Sequence, residues 1–172
     1  DLKVARPADG TTENKFSLPH IEPFSFDNGV VVQGTTDTFT VYRDEIDAHW
    51  TGHLPLRNVL NLFERSRTNI IGGPDDLRRL QTDHGILIVV ASIGDCSLID
   101  EDVTINPGQS VSVETSYVVK RKGMILDCYQ TLKSDNDSRL AQGKVTLMMI
   151  DTETHRPTSK LPDWARQKIG LL

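Results

Sequence analysis

Two carboxylates, Asp47 and Glu64, flank the stretch of sequence richest in chemical possibility, Ala48-His49-Trp50-Thr51-Gly52-His53-Leu54-Pro55. Arg67 follows Glu64 at the spacing of one helical turn. A carboxylate can activate water as a general base or attack a carbonyl carbon itself. Amides at the start of a helix, unpaired and aligned with its dipole, can hold the negative charge that then develops on oxygen. Gly52, His53 and Leu54 stand just before a helical pattern and would present such amides. Gly52 admits close approach of a ligand, while Pro55 has no amide hydrogen to donate. Other routes to hydrolysis are not represented: there is no Gly-x-Ser-x-Gly elbow, no HExxH metal pair and no phosphate-cradling glycine loop.

The elements that must position these residues belong to a chain of 172 residues, enough for one domain with a sizeable core. Hydrophobic residues are 37% and charged residues 25%, as in an ordinary globular protein. The net charge of -5 argues against a broad basic face for nucleic acid. Cys96 and Cys128 show neither CxxC spacing nor a histidine cluster, so they read as reduced thiols on strands, and no metal site is expected. No run approaches the roughly 18 apolar residues of a membrane span. The chain begins at Asp1, which reads as a processed or trimmed form. The expected location is the cytoplasm, or an organelle lumen after loss of a targeting peptide.

Residues 1–35 read as an irregular arm, punctuated by Pro7, Pro19 and Pro23, with a short hairpin suggested around Asp27-Asn28-Gly29. Phe16, Leu18, Ile21, Phe24 and Phe26 suggest that its second half packs on the body. Residues 36–172 read as one domain. A short strand pattern from Asp37 through Phe39 and Val41 ends at Asp44-Glu45-Ile46-Asp47. Leu56, Val59, Leu60, Phe63 and Ile70 then recur at helical spacing, giving a helix over Pro55 to Ile71 that Gly72-Gly73-Pro74 stops. A polar connection with at most a helical turn spans Asp75 to His84. Four strand-like runs follow, Gly85 to Leu98, Ser110 to Lys120, Met124 to Leu132 and Leu140 to Asp151, broken by turn residues. A lone amphipathic helix among strands must bury its stripe against their sheet, which makes an α+β domain.

This order, with the stretch from Asp47 to Pro55 and Leu62-Phe63-Glu64-Arg65-Ser66-Arg67, resembles the hotdog-fold thioesterases of the 4-hydroxybenzoyl-CoA thioesterase type. Members of that family carry an aspartate closing the first strand, a Gly-His pair opening the helix and a Phe-Glu-x-(small)-Arg patch along it. Asp151 to Pro157 followed by Leu161-Pro162 is similar to the family's last strand and exit. The likeness spans Thr36 to Asp163. Two features depart from it: a longer loop between Asp47 and Gly52, and Leu54-Pro55 where many relatives have asparagine.

The resemblance implies an antiparallel sheet wrapped around one long central helix, and hydrolysis of a thioester on coenzyme A or acyl carrier protein without a cofactor. Asp47 is then the first candidate for base or nucleophile and Glu64 the second. Glu64 follows Leu60 and Leu56 at helical intervals, so a place on the apolar face and partial desolvation are expected of it. A turn aspartate and an ion pair with Arg67 are the plainer roles of these two residues. His53 would meet the substrate carbonyl, or merely pack. His49 and Trp50 would line an acyl tunnel, and Arg67, with the hairpin cluster Lys120-Arg121-Lys122, would bind substrate or simply be solvated. Two further readings stay open: a hotdog dehydratase or hydratase, faintly echoed by His53-Leu54-Pro55, and a non-catalytic acyl-thioester binder. An open sheet edge and an incomplete pocket call for a homodimer or tetramer.

Overall fold

The computed structural model describes residues 23–28, 30–46, 54–98 and 105–172. Strands β1 (Gln33–Thr40), β2 (Ile86–Leu98), β3 (Ser110–Lys120), β4 (Ile125–Ser134) and β5 (Arg139–Asp151) form one antiparallel sheet in the order β1-β3-β4-β5-β2. Helices α1 (Leu56–Ile71) and α2 (Pro74–His84) lie between β1 and β2 in the chain, and α3 (Asp163–Lys168) follows β5. β1 and β2 are thus the two edges of the sheet.

The expected elements are present, with differences that have physical causes. β1 starts at Gln33 rather than Asp37. Its sequence, QGTTDTFT, carries almost no apolar period, and pairing with β3 from Gln33↔Tyr117 to Thr40↔Ser110 decides its extent. The connection after α1 is a full helix, α2, with Pro74 at its start, Asp75 and Asp76 in its first turn and Gly85 in the left-handed region at its end. Leu80 is its one fully buried residue, so its apolar stripe is too thin to read as a period. α3 closes the domain from below, and Gly123, whose φ of 90° favours glycine, lies beneath the C-terminal segment, where a Cβ would come within 2.9 Å of Leu161 and 2.8 Å of Leu171. Around Asp27 there is a turn, Val30 donating to the Asp27 carbonyl, but no strand pairs across it among the described residues. Phe24 and Phe26 pack edge-on against Tyr129 of β4, with ring centroids 5.1 and 5.0 Å apart.

α1 lies on the sheet through residues 58–59, 62–63, 66–67 and 70–71, all buried. Its first half joins Phe39, Val41, Val111, Val113 and Leu132 in one apolar cluster, through Val59, Leu62 and Phe63. Its second half joins Leu80, Leu126, Leu147, Met149 and Ile169 in another, through Ile70 and Ile71. Ser66 and Arg67 fall between the two clusters. Both thiols are free, Cys96 half-buried on β2 and Cys128 buried on β4, where burial pushes its pKa up to about 12. No helix among the described residues is long and apolar enough to cross a membrane.

Candidate active site

Along one flank of α1 runs a ridge of Leu56, Leu60, Glu64 and Thr68, spaced at four residues so that each stands above the last. Leu56 is 42% exposed, Leu60 and Thr68 are half-buried, and Glu64 is exposed. Glu64 is therefore exposed, contrary to the partial desolvation expected from its spacing, because the ridge it shares with Leu56 and Leu60 is only partly covered. Its carboxylate makes no hydrogen bond or ion pair with another described residue, so the pairing with Arg67 does not form either.

Arg67 points inward instead, 8% exposed, into a polar layer that separates the two apolar clusters. Arg67 Nη1 donates to Gln130 Oε1 at 2.6 Å. Gln130 Nε2 donates to the Phe63 carbonyl at 2.9 Å and to Thr115 Oγ1 at 3.0 Å. The Thr115 and Ser66 hydroxyls are 2.9 Å apart, and Ser66 Oγ donates to Asp37 Oδ2 at 2.6 Å. Because Ser66 spends its proton on Asp37, Thr115 must donate to Ser66. Every donor in the chain Arg67, Gln130, Thr115, Ser66 then points toward Asp37, whose other oxygen accepts from Asn69 Nδ2 at 2.8 Å. A chain running from a cation to an anion polarises each link in the same sense and fixes α1 in register over β1, β3 and β4. Burial lowers the Arg67 pKa, against smaller opposing effects of Cys128 and Glu64, so the guanidinium sits in a poorly solvated place.

Two clefts meet at Glu64. One, of about 100 Å³, is lined by Glu64, Arg67 and Thr68 on its polar side and by Leu77, Ile88, Val90 and Leu147 on its apolar side. The other, of about 360 Å³, runs past Phe39, Arg65 and Asn69 and shares Glu64 and Thr68. A carboxylate and a hydroxyl one turn apart thus stand at the junction of a narrow slot and a wider opening, each lined by both apolar and polar side chains. Such a place suits a ligand with an apolar group and a polar carrier.

Solved structures of similar shape agree with this architecture. The 1,4-dihydroxy-2-naphthoyl-CoA thioesterase of Synechocystis superposes with a TM-score of 0.66 at 11% identity, over 80% of this chain and 96% of that one. A Staphylococcus aureus protein solved in complex with CoA gives 0.63 at 18% identity, over 83% and 85%. The 12:0-ACP thioesterase of Umbellularia californica gives 0.57 at 16% identity, over 80% of this chain and 52% of that one. The chain is a hotdog domain. No family model matches its sequence, and no curated protein matches it by sequence.

In this hotdog domain the sequence-derived site residues divide into four groups. Asp47, His49, Trp50, Gly52 and His53 lie outside the described residues. Leu54 is buried in the first apolar cluster, and Pro55 caps α1, so the helix opens at Leu56, one residue later than expected. Glu64 and Arg67 come together at the slot. The hairpin cluster stands apart, and none of its residues lines either cleft at Glu64. Lys120 Nζ bonds Asp127 Oδ2 at 2.6 Å, which answers its charge within its own hairpin and raises its pKa. Arg121, Lys122 and Gly123 turn the chain with φ of 51°, 59° and 90°. Sequence reasoning missed Thr68 and Gln130. Thr68 continues the ridge of Glu64 at four residues. Gln130 interrupts the inward series Leu126, Cys128, Leu132 on β4, and a polar residue at such a position is a legible signal.

Proposed function

We propose that this hotdog domain is an acyl thioesterase acting on a thioester of coenzyme A or acyl carrier protein. The observation that carries the reading is the placement of Glu64, a carboxylate with no hydrogen bond or ion pair among the described residues, on the central helix of a hotdog domain where two clefts meet. The acyl group enters the narrow slot, and the pantetheine arm occupies the wider opening. Glu64 takes a proton from water, the resulting hydroxide bonds to the carbonyl carbon, and the carbonyl electrons move to oxygen. Amides of Gly52, His53 and Leu54 hold that oxyanion, and His53 adds a side-chain contact. As the carbonyl re-forms, the carbon–sulfur bond breaks, the thiolate takes up the proton, and acid and thiol leave. Asp47 is the competing carboxylate, as base or as nucleophile. Support for either carrier comes from solved neighbours, one holding CoA and one named for acyl carrier protein.

The site is completed by a second copy. Leu56 on the ridge and Val89, Val90 and Ile93 on edge strand β2 are exposed, Val90 and Ile93 by 50% and 55%. Val90 also lines the slot beside Glu64, so an apolar edge and the candidate site are continuous. Pairing two β2 edges covers these residues and extends the sheet. A particle of twice the chain mass in light scattering, halved by Ile93→Lys, is the expected result; a wild-type monomer at micromolar concentration contradicts it, and a tetramer is a pair of such dimers.

The enzymatic reading is tested by thiol release from a panel of short, long and aromatic acyl-CoAs and acyl carrier proteins, with wild type, Glu64→Gln and Asp47→Asn in parallel. Turnover that collapses in Glu64→Gln assigns the base as drawn, and collapse only in Asp47→Asn moves the role to that residue. No thiol release from any substrate, together with retained binding, makes the domain a binder.

A further inference from the structure

Arg67 is a buried cation whose acceptor among the described residues is a neutral amide. Its guanidinium is held from behind by Gln130, which is itself fixed by the Phe63 carbonyl and Thr115, so the group is preorganised. One nitrogen serves that bond, while a guanidinium carries five N–H donors in a rigid fork. The residue lines the slot beside Glu64, and no nitrogen of it is both fully buried and unpaired, so the remaining donors open toward the slot. The far walls of the slot are Ile71, Leu77, Ile88, Val90 and Leu147, whose side chains accept no hydrogen bond, and its other polar lining, Glu64 and Thr68, makes no hydrogen bond to Arg67. A plain hydrocarbon filling this slot would strip water from a guanidinium and give nothing in return, which is costly for a charged donor.

On the reading above that Glu64 marks the reacting carbonyl, we infer that Arg67 selects acyl groups bearing an oxygen acceptor a few bonds beyond the thioester carbonyl. The distance follows from the helix: Glu64 and Arg67, three residues apart, are separated by roughly 4.5 Å along its axis, about the span of three or four bonds. The acceptor is a hydroxyl, oxo or carboxylate oxygen on a short aliphatic chain or a ring. Glu64 stands nearby and repels a full negative charge, so a neutral hydroxyl or oxo group is preferred to a carboxylate.

The test uses matched pairs of acyl-CoAs of equal size: butanoyl against 3-hydroxybutanoyl, 3-oxobutanoyl and succinyl, and an aroyl against its hydroxylated form. Thiol release and equilibrium binding are both measured, with wild type, Arg67→Lys and Arg67→Met. The expected wild-type result is roughly a tenfold or greater preference in kcat/KM for the oxygen-bearing member, since a site built to bond an oxygen rejects the analogue without it. That preference should fall to near unity in Arg67→Met and be partly kept in Arg67→Lys. Equal turnover of paired substrates by wild type overturns the inference, as does an undiminished preference in Arg67→Met. Should Arg67→Met fail to fold, the wild-type pairs and Arg67→Lys decide alone. An absence of thiol release from every substrate defeats the thioesterase reading instead. The inference is then judged on affinity, where equal binding of paired ligands overturns it.

Discussion

On the side of α1 that meets the sheet, Val59, Leu62 and Phe63 vanish into one apolar cluster and Ile70 and Ile71 into another, with Ser66 and Arg67 bonded between them. On its flank, Glu64 and Thr68 line a slot shared with Val90 of the β2 edge strand, Leu56 is exposed, and Glu64 makes no hydrogen bond or ion pair with another described residue. One helix thus carries a face where every apolar group is packed and a flank where Leu56 is exposed and a carboxylate is left without a hydrogen bond or ion pair among the described residues. The contrast teaches where stability and function separate. Substitutions toward the sheet should cost folding free energy, and substitutions on the ridge should cost activity or assembly with the fold intact.

The comparison is broken most forcefully at Phe63. Phe63→Ala removes a fully buried ring and should destabilise the domain by about 3–5 kcal/mol in denaturant unfolding. A loss below about 1 kcal/mol would show that this face is not the packed one.

The polar layer sharpens the comparison. Gln130→Leu deprives Arg67 Nη1, the Phe63 carbonyl and the Thr115 hydroxyl of their partner at once. An expected loss of about 2–3 kcal/mol follows from stranding a buried charge and neutral groups beside it. If unfolding is unchanged, the layer is not holding α1 on the sheet.

A smaller effect is expected on the far side of the sheet. Burial pushes the Asp127 carboxyl up, but bonds from Lys120 and Thr146 outweigh it and hold its pKa below the ordinary value. A depressed carboxylate contributes stability that is present above its unfolded pKa, near 4, and is lost as pH falls through the lower folded value. Lys120 has the opposite sign: its raised pKa contributes below about 10.5 and is lost as pH rises through the folded value. Asp127→Asn should therefore cost about 1 kcal/mol at neutral pH and flatten the acid limb of a stability-versus-pH curve. An unaltered acid limb would place the acid sensitivity in other carboxylates.

Much of this arrangement is legible in the sequence, and the boundaries of that legibility are physical. α1 and β3 stand out because each buries one face heavily, so their period survives in the residue types. β1 and α2 do not, because pairing and caps hold them where apolar pattern is thin. Glu64 is picked out by its type and by its distance from Gly52-His53, but its surroundings are misread. Leu56 and Leu60 suggest a buried stripe, whereas in the single chain Leu60 is only partly buried and Leu56 is exposed, its cover belonging to the proposed second copy. Sequence periodicity reports burial in the assembly, and so cannot tell which chain supplies the wall. The direction of Arg67 was equally out of reach, since it depends on Gln130, 63 residues away along the chain.

The central claim is that the open face of α1 is catalytic through Glu64. The most direct measurement compares thiol release by wild type and Glu64→Gln on the best substrate, with thermal unfolding recorded on the same preparations. The account predicts a fall in kcat of roughly 10²–10⁴-fold with stability changed by less than about 0.5 kcal/mol. Turnover kept at the wild-type rate by a folded Glu64→Gln would contradict it.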